Sequence, residues 1–271
     1  MPFVIALQAI IWRSSEIRRT WHWSWGIRVG VQSPVEEVTA PAVTCLCVEA
    51  VFEWHFGEIT SCQATMAEGI SLAKDLNDMH ALAVVLCWAA ILGHFERNPA
   101  TVERFASDLI ELSTRHQFAY WLAGGEVLRG WARSASGDTA EGLSRIEDGI
   151  VDWRATGSKI CVPYWLALKA EALHLADRTS EALEAIREAE ALVESSEERW
   201  WSAELYRLRG VFLTAIGADE TQIETSLSEA IKIAREQQSI SLEKRAEATY
   251  AEYRRQKTCG SAGREFRLPI W

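Results

Sequence analysis

Small residues recur every forty positions along this chain, at Ala50, Ala90, Gly130, Ala170 and Gly210. A fixed period of this length is the mark of a repeat architecture. Other columns keep the same period. Sixteen residues after each anchor stand Met66, Ala106, Ile146, Ile186 and Ser226, and nineteen after stand Gly69, Leu109, Gly149, Ala189 and Glu229. In the fifth unit one extra residue near Ala218 brings Leu227 and Ala230 into register. Seven after the anchors come Gly57, Arg97, Gly137, Asp177 and Gly217, a column that reads as a turn.

Each unit reads as two helices. Apolar residues surround the anchor in the first, as with Leu166, Ala167, Leu173 and Leu175 around Ala170. The second carries a 3.6-residue stripe, as in Ala182, Leu183, Ile186, Ala189 and Val193. Asn98-Pro99 marks a helix start, and Asp138 and Thr179 or Ser180 are placed to cap others. No alternating β-branched run calls for a strand. One hairpin cannot bury its apolar face alone, so successive hairpins must share a continuous core. Five of them span about residues 40–239, and a more polar helix from Ser241 closes the stack. The division expected is an N-terminal segment of uncertain structure over 1–39, a helical repeat domain over 40–257, and a flexible tail over 258–271.

Composition narrows the function. The 271 residues carry 28 Lys and Arg against 38 Asp and Glu, a net charge of −10. Residues 41–240 hold 17 basic and 31 acidic side chains, so the body is a poor match for phosphate backbones and nucleic acid is not expected. The longest uncharged apolar run, Ala81 to Gly93, is thirteen residues, short of the roughly twenty a membrane span needs. The N-terminus has no basic region ahead of its apolar residues, so cytoplasmic placement is expected, with six reduced cysteines. No Cys/His spacing fits zinc, and no phosphate loop is present. Gly125-Glu126-Val127-Leu128-Arg129-Gly130 leads into Trp131 where a lysine would be needed. No catalytic residue, metal or cofactor is therefore expected.

The spacing of Ala170, Ala182, Ile186 and Ala189 resembles the tetratricopeptide repeat, although the unit is forty residues rather than thirty-four. The blocks WRATGSKICVPYWLALKAEAL and ALVESSEERWWSAELYRLRGVFL carry a second resemblance. Over roughly residues 45–250 the chain is similar to the C-terminal repeat region of bacterial class III adenylate or guanylate cyclase proteins that also hold an AAA-type ATPase-like module. That resemblance implies a tetratricopeptide-like helical-hairpin solenoid in signal transduction. The catalytic domains themselves have no counterpart here.

In tetratricopeptide-like stacks the first helices line a concave groove. Trp54, His94, Trp131, Glu171, His174 and Arg207 are the residues that should line it here. The expected function is a non-catalytic protein-interaction or regulatory module that takes a protein or peptide partner. The acidic body favours a basic or amphipathic segment in that partner. A small-molecule sensor, or the regulatory fragment of a cyclase, is the alternative. A carboxylate clamp is not expected, because its positions read Cys47, Cys87, Val127, Ala167 and Arg207.

Overall fold

The computed structural model describes residues 40–258, residue 197 excepted. The expectations for residues 1–39 and for the tail after Thr258 lie outside the described residues. Within them the chain is eleven helices and no strand, in five hairpins and a final helix. The hairpins are α1 (Pro41–His55) with α2 (Ile59–Asp75), α3 (Met79–Phe95) with α4 (Pro99–His116), α5 (Ala119–Ala135) with α6 (Thr139–Ala155), α7 (Val162–Leu175) with α8 (Thr179–Ser196), and α9 (Ser202–Ala215) with α10 (Glu220–Glu236). Helix α11 (Ile240–Thr258) ends the series.

The turn column explains the period. Gly57, Arg97, Gly137, Asp177 and Gly217 all have φ between +56° and +100°. Each sits just past the end of a first helix, where a left-handed residue lets the chain reverse. The next N–H then bonds back to a carbonyl inside the helix. Glu58 reaches Glu53, Asn98 reaches Gly93, Asp138 reaches Arg133, Arg178 reaches Leu173 and Ala218 reaches Leu213, at 2.8–3.0 Å. Asn98 caps α4 by accepting from the Thr101 N–H, with Pro99 in the first turn. Asp138 holds the cap position of α6 without a side-chain bond. Helix α8 begins at Thr179, so Arg178 precedes it. The extra residue of the fifth unit falls in this same turn, because α10 begins ten residues after its anchor rather than nine.

The anchors lie where two helices touch. Ala50, Ala90 and Ala170 are fully buried. A Cβ on Gly130 would come within 2.6 Å of the Gly142 carbonyl and 2.7 Å of the Ile146 side chain. A Cβ on Gly210 would meet Leu227 at 2.6 Å. The fold thus sets α5 against α6 at a distance that only a missing side chain permits.

The first helices form an inner ring, and the second helices form an outer layer. Helices α1, α3, α5, α7, α9 and α11 each pack on the next. The last helix returns to the first, so α11 closes the ring as well as capping α10. Helix α3 is buried on nearly every side. The outer helices bury one stripe each, as α4 does with Val102, Ala106, Leu109 and Leu112.

Candidate functional site

The centre of this ring is filled by the chain's own polar and aromatic side chains. Arg97 is the hub. Its backbone takes the left-handed turn after α3, at φ +56°, and its side chain is largely buried. One of its nitrogens, Nη1, donates to both Glu171 oxygens at 2.8 and 2.6 Å. The other, Nη2, donates to Glu204. Glu171 also accepts from the Trp131 indole N–H at 2.9 Å.

Glu204 gathers three guanidinium groups. Besides Arg97, Arg207 donates to it through two nitrogens at 3.0 and 2.7 Å. Arg245 approaches it at 3.4 Å and also donates to the Phe95 carbonyl. Arg207 ends on the Thr249 hydroxyl at 3.2 Å. His94 completes the set, with Nε2 3.1 Å from Arg97 Nη1 and Nδ1 2.8 Å from the Tyr164 hydroxyl. Nε2 also lies 3.4 Å from Glu171 Oε1, but the Arg97 contact is the shorter and Arg97 can only donate, which assigns Nε2 as acceptor and leaves the ring proton on Nδ1.

The charges set one another. Burial lowers His94 to about 4, with Arg97 adding to it, so the imidazole is neutral. Burial would raise both carboxyls, but the cations win. Arg97 holds Glu171 at about 2. Arg207, Arg245 and Arg97 hold Glu204 well below the usual carboxylate range. Burial brings Arg245 down to about 10, against the pull of Glu204 and with the repulsion of Arg97 and Arg207. Among the described contacts, three guanidinium groups share the two carboxylates of Glu171 and Glu204.

An aromatic shell seals the cluster. Phe95 stacks on Trp201 at 4.5 Å, Trp54 lies 4.7 Å from Phe95, and His94 meets Trp131 edge to face at 4.6 Å. Arg245 lies over the Trp54 ring at 5.4 Å.

Five of the six residues singled out from the sequence meet here, on the inner side of the first helices. Trp54, His94, Trp131, Glu171 and Arg207 are at most 2 % exposed. The open groove expected at these residues is corrected to a sealed centre. The physical reason is that the ring closes, and the Arg97 and Glu204 side chains fill the space a partner would enter. His174 stands apart, half-buried in the last turn of α7, with Nδ1 2.9 Å from the Thr179 hydroxyl and its ring 4.9 Å from Phe212.

Sequence reasoning missed Tyr164, Glu204 and Arg245, which share one column six residues before the anchor once the extra residue is counted. Their side chains point to the axis in three successive units. The signal was present as a column that turns from Thr44, Val84 and Gly124 to Tyr, Glu and Arg. Arg97 carried a second signal, a long cation in a column of Gly and Asp.

Away from the centre, a surface groove of about 440 Å³ lies between α10 and α11, lined by Glu220, Glu224, Glu229 and Tyr250 among others. No group of three or more His, Cys, Asp or Glu side chains among the described residues could hold a metal ion. No described helix is long and apolar enough to cross a membrane.

The family model for anaphase-promoting complex subunit 5 matches residues 43–96 and 208–255. Those two stretches take in most of α1, all of α2 and α3, the second half of α9, all of α10 and most of α11. A curated relative, Uncharacterized protein R02095 of Rhizobium meliloti (strain 1021), is 23% identical over 193 residues. The match takes in 71% of this chain and 19% of the relative, so the chain spans about a fifth of the relative's length. Neither is described as a cyclase or an ATPase.

Proposed function

We propose that this chain is a non-catalytic protein-interaction module, acting as the regulatory or scaffolding region of a larger assembly. The observation that carries the reading is how the chemistry-bearing side chains are used. His94, Tyr164, Glu171, Glu204 and Arg97 are committed to one another behind an aromatic shell, so the charged outer helices are left to meet other molecules. The match to a subunit of a multiprotein complex supports the same reading. So does the small share of the relative that the chain covers, since a repeat region is commonly one part of a longer protein. A role as the regulatory arm of a nucleotide cyclase rests on the sequence resemblance alone.

Co-purification with chemical cross-linking tests the proposal. The expected result is a partner at fixed stoichiometry, cross-linked to outer lysines such as Lys232, with no ATP or GTP turnover that follows the chain through a sizing column. A metabolite that raises the melting temperature in a saturable way, with no protein partner found, would overturn it in favour of a small-molecule sensor.

A further inference from the structure

The connectors that join one hairpin to the next are not alike. Those before α3, α5 and α11 are short, residues 76–78, 117–118 and 237–239, while those before α7 and α9 run over 156–161 and 197–201. The two long ones are tied to each other. Glu198 accepts from the Cys161 N–H through both oxygens, at 2.9 and 3.0 Å, and from the Trp200 indole N–H at 2.9 Å. Cys161 is held there in the left-handed region, at φ +63°, which is unfavourable for a residue with a side chain. The rest of its connector also hangs on side chains. The Ile160 carbonyl accepts from the Trp153 indole at 2.8 Å, the Ile160 N–H donates to the Ser158 hydroxyl at 3.3 Å, and the Tyr120 hydroxyl pairs with Ser158.

Glu198 is 4 % exposed, and its donors are neutral. A buried carboxylate that no cation offsets keeps its desolvation penalty, and reaching water removes it. Burial accordingly raises Glu198 to about 7, against the pull of its hydrogen bonds. The groups around it on other elements add no charge. Tyr120 of α5, Tyr164 of α7, Cys161 before α7 and Cys87 of α3 are all pushed up by burial and stay neutral at physiological pH. Arg199, the next residue in sequence, is 61 % exposed and lies 4.0 Å from Glu194. Lys159 is exposed at the tip of the first connector.

We infer that Glu198 is a pH-sensitive clasp between the two long connectors, closed while its carboxyl is neutral and released when it ionises, so that the segment 156–161 loosens before any helix does. Lys159 and Ile160, both exposed on that segment, are then fixed in place below the transition and freed above it. What this does to a partner rests on the interaction-module reading, while the clasp itself does not.

Proton–nitrogen NMR on the full chain, titrated from mildly acidic to mildly alkaline pH, tests the clasp without any partner. The Cys161 amide and the Trp153 indole N–H should shift with one midpoint near neutrality, although the Trp153 indole is bonded to Ile160 and not to Glu198. Across that midpoint the Cys161 amide should lose about tenfold or more in protection, after correction for faster intrinsic exchange, while amides inside α5 and α6 keep theirs. Glu198→Gln should remove the midpoint from both signals and leave Cys161 protected throughout. Glu194→Gln, which alters an exposed carboxyl nearby, should leave the midpoint in place. If Glu198→Gln loses its fold, the unaltered protein still decides the matter. A Trp200 indole that titrates while the Trp153 indole and the Cys161 protection stay constant overturns the clasp, because Glu198 then ionises without release. A chain with no midpoint in this range overturns it too. So does loss of protection at Cys161 only in step with α5 and α6, which is global unfolding. A partner found on the outer helices beside an unresponsive connector would sink the clasp and leave the interaction reading standing.

Discussion

Glu171 and Glu198 are both buried carboxyls, and their neighbours drive them in opposite directions. Glu171 has Arg97 beside it and stays ionised. Glu198 accepts only from neutral donors, the Cys161 N–H at 2.9 and 3.0 Å and the Trp200 indole at 2.9 Å, and burial raises it to about 7. Glu171→Gln should therefore cost about 3–5 kcal/mol in a urea titration, because it strands part of a buried guanidinium charge. Replacing Glu111, whose pair with Arg115 is exposed, should be too small to measure by the same titration. Glu198 makes the opposite contribution. Its folded pKa lies above the unfolded value of about 4.5, so the fold loses stability as pH rises through the window from about 4.5 to 7. His94 and His55 are both lowered from 6.5 to about 4, chiefly by burial, and their contribution is lost as pH falls from 6.5 to 4. The two trends oppose each other. Glu198→Gln should remove the first and leave melting temperature rising with pH between about 4 and 6.5, then level, in pH-dependent thermal melts. The sequence placed Glu171 on the inner face through its column. It could not show that Glu198 is sealed, because its surroundings come from the loop before α7, a segment with no repeat register.

The helices were legible because three independent signals coincide at each unit boundary. The small anchor, the left-handed turn seven residues later and the apolar stripe of the second helix all fall at one period. Glycine serves two different needs in that pattern, and single substitutions separate them. Gly130→Ala should destabilise by about 1–3 kcal/mol in chemical denaturation despite the better helix propensity of alanine, because its Cβ would strike the Gly142 carbonyl and Ile146. Gly137 has nothing within 4 Å of a built Cβ but a φ of +100°. There Gly137→Ala should cost about 1 kcal/mol or more through backbone strain alone. If Gly130→Ala is as stable as the parent, α5 and α6 do not approach as described. Helices α7 and α9 were less legible. Each is fourteen residues long rather than seventeen, since Cys161 and Trp201 hold the positions before their first turns.

At the scale of the whole molecule, the forty-residue period fixes hairpins that stack but not how sharply the stack turns. Curvature is the sum of small rotations between units, and contacts between residues more than seventy positions apart decide it. Arg97 with Glu171 and Glu204, and Arg245 with Phe95, are such contacts, and no local pattern encodes them. That is why the inner face was legible while its closure was not. A sealed centre also changes what Trp131→Ala would do. It should cost about 3–5 kcal/mol of stability, as for a large buried aromatic, before any partner is considered. The central claim is that the first and last described helices meet. A nuclear Overhauser measurement on protein with labelled isoleucine methyl groups tests it most directly. The Ile240 γ2 methyl lies 3.6 Å from where a Cβ on Gly57 would stand, across 183 positions of sequence. The closed ring predicts a cross-peak between that methyl and the Gly57 α-protons, beside the one between Ile146 and Gly130 that any α5–α6 hairpin gives. A spectrum with the Ile146 to Gly130 peak but none from Ile240 to Gly57 would mean an open solenoid, and would contradict the account.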